Sequence, residues 1–174
     1  MRFFSQTLTL ALFLLLLLPL GAVAQGQGQG QGSLKVDSSQ VVGLTALLEA
    51  QPRHPEATSI RALLLEWEDS TKDVVDYVCP DVLAPVPAAG TPNGPELLAQ
   101  FIFGSAAFQV ANPSQKGALQ PSQLAGMRSM LKAYKALLAT DPAARIPRFD
   151  SLVAMDTEGS LAAYLEPIVT LGCQ

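Results

Sequence analysis

Between residues 38 and 174 the apolar positions recur every three or four residues, the period of an α-helix, and nowhere alternate as in a sheet strand. Val41, Val42, Leu44, Leu47 and Leu48 mark a first helix, capped at Ser38 or Ser39 and ended by Pro52. A second opens at Thr58 or Ser59. Ile60, Leu63, Leu64, Trp67, Val74, Val75 and Val78 keep its spacing over about 20 residues, filling about a third of a 100° helical wheel. Glu66, Asp69, Asp73 and Asp76 fall on the opposite side and read as one acidic helical face.

A third helix begins at Pro95, with Asn93 or Gly94 as its cap and Glu96 at its positive end. Its apolar residues, from Leu97 through Phe101, Phe103 and Phe108 to Val110, surround the axis rather than line one side. A helix apolar all round is buried, so this one is expected at the centre, with Gly104, Ser105, Ala106 and Ala107 admitting a close neighbour. Gln100, Ser105 and Gln109 interrupt it and need partners if buried. A fourth helix opens at Pro121-Ser122 and stops at Asp141-Pro142. A short helix near Asp150 follows, then a last element from Leu161 that Pro167 is expected to kink or split. The Pro- and Gly-rich stretch 79–95 reads as an irregular loop covering the core through Val82, Leu83 and Val86. The pattern as a whole predicts a single all-α domain, a small bundle or orthogonal packing of about five helices over residues 38–174.

The first residues follow another plan. Arg2 precedes an apolar run from Leu8 to Leu18, broken by Pro19 and Gly21 and followed by Ala22-Val23-Ala24. That order is a secretory signal peptide over residues 1–24, cleaved before Gln25. The run is shorter than the roughly 20 residues of a spanning helix, so no membrane attachment is expected after cleavage. From Gln25 to Gly32 glutamine and glycine alternate strictly, and residues 25–37 read as a flexible leader. The protein is therefore expected to be exported, to the periplasm or the extracellular space.

Charge and composition narrow the partners. The net charge is −4 and becomes about −5 once Arg2 leaves with the signal. An acidic chain has no electrostatic footprint for nucleic acid. Charged residues make up only 15% of the chain, against 49% hydrophobic, which excludes a disordered mature protein. Cys79 and Cys173 are an even pair in a compartment that permits disulfides. Their bridge would close a loop of about 94 residues and stabilise by about 4 to 5 kcal/mol on the chain-entropy account.

Catalytic chemistry leaves little trace. The single histidine, His54, sits between Pro52 and Pro55, in a solvated turn. No nucleophile elbow, phosphate-cradling glycine loop or metal-ligand spacing is present, so no catalytic residue, cofactor or metal is expected. Three functions follow, in order. The first is a non-enzymatic exported domain that binds a protein partner or serves a structural role, with Glu66, Asp69, Asp73 and Asp76 as a partner face. The second is a carrier of an apolar ligand lined by Phe101, Phe103 and Phe108. The third is an enzyme of unrecognised type.

Overall fold

The computed structural model describes residues 35–173. The signal peptide and most of the leader lie outside the described residues. Among the described residues the chain forms seven α-helices and no strand: α1 (Ser38–Ala50), α2 (Ala57–Ser70), α3 (Pro80–Leu83), α4 (Gly94–Ala111), α5 (Leu119–Thr140), α6 (Pro147–Glu158) and α7 (Leu161–Gly172). The all-α class read from the periodicity is the observed one.

The helix starts fall within one or two residues of those expected, with α2 opening at Ala57 and α5 at Leu119, and the start of α1 shows the local chemistry. Asp37, assigned to the leader by its sequence, is the N-cap of α1. Its carboxylate accepts the amide protons of Ser39 and Gln40, and the Gln40 side chain accepts from the Asp37 amide. Val36 packs on the core beside it. The ordered domain thus begins ahead of Ser38, because a capping box needs the residue before the first turn. The stretch 79–95 is also less irregular than expected. Pro80 takes the first position of the short helix α3, where its missing N–H costs nothing. Val82, Leu83 and Val86 are almost fully buried, each stabilising by about 1.5–3 kcal/mol, which offsets the entropy of fixing a Pro-rich chain. The Ala84–Pro85 and Val86–Pro87 peptide bonds are cis. Pro167 does not split the last element. It lies inside a continuous α7, and the carbonyl its ring leaves unpaired belongs to Ala163, which faces solvent.

Two apolar clusters make the core, and α4 serves both. Leu97 and Phe101 join the cluster built from α3, α5, α6 and α7, whereas Ala99, Phe103 and Ala106 join the one built from α1, α2 and Val74. The central place expected for this helix is the observed one. Its closest neighbour is α5. A side chain on Gly104 would collide with Ser129, and a Cβ on Gly126 would lie 2.7 Å from the Phe101 carbonyl oxygen. One glycine on each helix therefore sets the spacing. Cys79 and Cys173 form a disulfide that joins the start of α3 to the end of α7. No helix among the described residues is long and apolar enough to cross a membrane.

Candidate functional site

The main departure from the sequence pattern lies at the end of α2. The helix stops at Ser70, and residues 71–79 are not helical. Val75 and Val78, expected on the buried side of a longer helix, are 36% and 52% exposed, and Tyr77 is 37% exposed. Only Val74 keeps its place in the core.

Side-chain amides hold this segment where a helix or sheet ladder would. The Gln109 Nε2 donates to the Val75 carbonyl at 3.0 Å, and its Oε1 accepts the Val75 amide proton at 3.0 Å. The same Oε1 accepts from the Gly117 amide at 2.9 Å. One residue offering both its N–H and C=O to one partner is strand geometry, with the glutamine amide in the place of a neighbouring backbone. Further along, Gln123 Nε2 donates to the Tyr77 carbonyl at 2.6 Å. Upstream, the Lys116 ammonium donates to the Lys72 carbonyl, and the Ser38 hydroxyl donates to Asp73 at 2.6 Å. Gln109 and Gln123 are both fully buried. A third buried glutamine, Gln100, ties α4 to its neighbours, donating to the Thr45 carbonyl at 3.2 Å and to Ser129 Oγ at 2.9 Å. Gln100 and Gln109 thus organise backbone and helix contacts, whereas the buried Ser105 hydroxyl has no hydrogen-bond partner among the described residues.

The break at Ser70 dissolves the single acidic helical face. Glu66 and Asp69 remain on the exposed side of α2, while Asp73 and Asp76 belong to the segment beyond it. The structure adds Glu68, which the polar pattern did not single out. It stands one helical turn after the buried Leu64 and is partly buried itself. Its Oε1 is shielded from water without a donor, and the carboxyl shares a hydrogen bond with Asp76 instead. Burial, then the Asp76 charge and that hydrogen bond, push the Glu68 carboxyl up to about 8. Burial raises Asp76 as well. Among the described residues none of the ion pairs given by Arg53, Arg128, Lys132 and Arg145 reaches either group.

The phenylalanines do not assemble a pocket. Phe101 and Phe103 are fully buried in different clusters on opposite sides of α4. Two residues apart on a helix means about 200° of rotation, so they cannot line one cavity together. Phe108 alone reaches a cleft, an open apolar groove of about 390 Å³ between α1, α4 and α5. Gly104, Ala107 and Ala111 form part of its lining, with Val42 on α1 and Leu124 on α5. Its polar edges are occupied: Lys132 pairs with Glu49 at 2.8 Å, and Arg128 pairs with Asp156 at 2.7 Å.

Among the described residues no three His, Cys, Asp or Glu side chains gather as a metal site would need. His54 Nδ1 accepts the Glu56 amide proton at 3.2 Å within its turn. The geometry defines an all-helical domain closed by one disulfide. No protein-family model matches this chain, and comparisons with curated proteins and with solved structures find no match.

Proposed function

We propose that this protein is an exported, non-enzymatic domain whose work is to bind another protein. The observation that carries the proposal is the segment Val75–Val78, where three apolar side chains are exposed within four residues; the other large exposed apolar side chains, Val42, Leu65, Tyr164 and Leu171, are spread over α1, α2 and α7. Clustered exposed apolar residues on a folded domain mark contact surfaces. Export is supported by the order of charge, apolar run and small residues in positions 1–24 and by the disulfide. A carrier of an apolar ligand is the second reading, favoured by the groove beside Phe108. That groove lies open along its length, whereas carriers enclose most of their ligand.

Photo-crosslinking in the native cell separates the two. A benzophenone amino acid is placed at Val78, at Phe108, or at the exposed Ser151 as a control. The protein-binding reading expects a discrete protein adduct from Val78 and none from Ser151. A small-molecule adduct confined to Phe108 would turn the assignment to a carrier, and no adduct from either site would remove both readings. The mass of the exported chain reports the first residue, expected at Gln25.

A further inference from the structure

We propose that the outer edge of Val74–Val78 receives an extended, basic segment of the partner protein as an added strand, with a Lys or Arg of that segment over the Glu68–Asp76 pair. The inference rests on the protein-binding reading and names the partner's chemistry.

Main-chain geometry specifies the form of the occupant. In an extended chain successive residues direct their N–H and C=O groups to opposite edges. Val75 turns both its groups inward to Gln109, and Tyr77 turns its carbonyl inward to Gln123. The intervening residues Val74, Asp76 and Val78 turn theirs outward, and these groups have no hydrogen-bond partner among the described residues. An edge of alternating free donors and acceptors is matched by another extended backbone, not by a helix, whose own backbone groups are already paired.

Charge specifies the sequence of the occupant. A residue directly across an antiparallel or parallel pairing from Asp76 has its Cβ about 4.5–5.5 Å away, on the same face. Asp76 and Glu68 lie on that face with no basic side chain paired to either among the described residues, and both carboxyls are raised rather than lowered. Asp69 and Asp73 lie nearby in the chain, with Lys72 between them and the Lys116 ammonium on the Lys72 carbonyl, so a cation arriving there meets a mainly acidic stretch. Val78, two residues along on the same face, offers apolar contact to the added strand.

Amide hydrogen exchange and NMR on the disulfide-bonded chain test this. The probe is a synthetic heptapeptide of alternating Thr and Val with Arg at its centre. Protection is expected at Val74, Asp76 and Val78 but not additionally at Val75, which is already paired. A Glu-centred peptide should bind about fivefold more weakly, the scale of one partly exposed ion pair. N-methylation of alternate peptide amides should abolish binding on one edge and leave it intact on the other. In the double variant Glu68→Gln with Asp76→Asn, the Arg and Glu peptides should bind equally. Shifts gathering around Phe108, or no protection at the three amides, would overturn the proposal. Self-association that protects the same amides without peptide would also overturn it, making a second copy the occupant. If the Val78 adduct forms in the cell while the peptides fail, protein binding stands and the strand mechanism falls.

Discussion

The α4–α5 pair and the segment 71–79 solve the same problem in opposite ways. Both must place polar backbone next to apolar core. In α4 and α5 the helices satisfy their own backbone, and glycines at 104 and 126 let the two surfaces close on each other. The segment has no internal backbone–backbone hydrogen bonds among the described residues, so it depends on Gln109 and Gln123, which reach out of that same helix pair. The rigid pair therefore acts as scaffold, and the dependent segment keeps one backbone edge and three apolar side chains at the surface. Surfaces available for binding come from regions of low local stability, and here that low stability has a named structural source.

Removing the disulfide should separate the two regions most strongly. Cys79 ends the dependent segment and Cys173 follows α7, so the bridge ties a weakly held segment to a packed helix. The pair Cys79→Ala with Cys173→Ala should cost about 3–4 kcal/mol, read as a lower denaturation midpoint. Hydrogen exchange should accelerate first in residues 74–83 and at the end of α7. Equal loss of protection throughout α4 and α5 would contradict the division. On the scaffold side, Gly104→Val pushes two methyl groups into Ser129 and should cost about 3 kcal/mol with a Tm drop of about 10 °C. A loss below about 1 kcal/mol would show that the helices can separate without penalty.

The two regions also differ in how far the sequence reveals them. In α4 every signal is local: Pro95 and Glu96 at the start, apolar residues all round, and glycine and alanine where a neighbour approaches. The rotation between Phe101 and Phe103 was equally local, and it already excludes a shared pocket. The end of α2 was not legible, because Val74, Val75 and Val78 fit the helical wheel as well as they fit a strand. What decides between the two is Gln109, 34 positions away in the chain. Weak hints existed in the β-branched run and in Thr71, Asp73 and Asp76, all poor helix formers. Glu68 could have been found from its spacing, since four residues after Leu64 places it on the same side of α2.

Gln109→Leu tests that dependence directly. It leaves the Val75 N–H and C=O and the Gly117 N–H without their partner, and should cost about 1–2 kcal/mol. Amides of Val75 and Gly117 should exchange faster while those of Met127 and Met130 stay protected. Uniform exchange across the domain would mean that the glutamine supports the scaffold as well.

The smallest effect should come from Glu68, and its sign is fixed by the direction of its shift. The folded carboxyl titrates near 8 against an ordinary value of 4.5, so folding favours its protonated form. Stability from this group is present in full below about pH 4.5 and is lost progressively as pH rises through about 8. Above that, Glu68 and Asp76 both carry charge with no ion pair to either among the described residues, and the segment should loosen while α4 and α5 hold. Glu68→Gln keeps the shape and removes the ionisation. It should be neutral at pH 5 and raise stability at pH 9 by about 1 kcal/mol, after allowance for the partial exposure of the site. Thermal melts of both proteins across pH 5–9 give the comparison. A wild-type slope that survives the substitution would assign the pH dependence to another group, and a slope of opposite sign would mean that the Glu68 carboxyl is ionised in the folded protein.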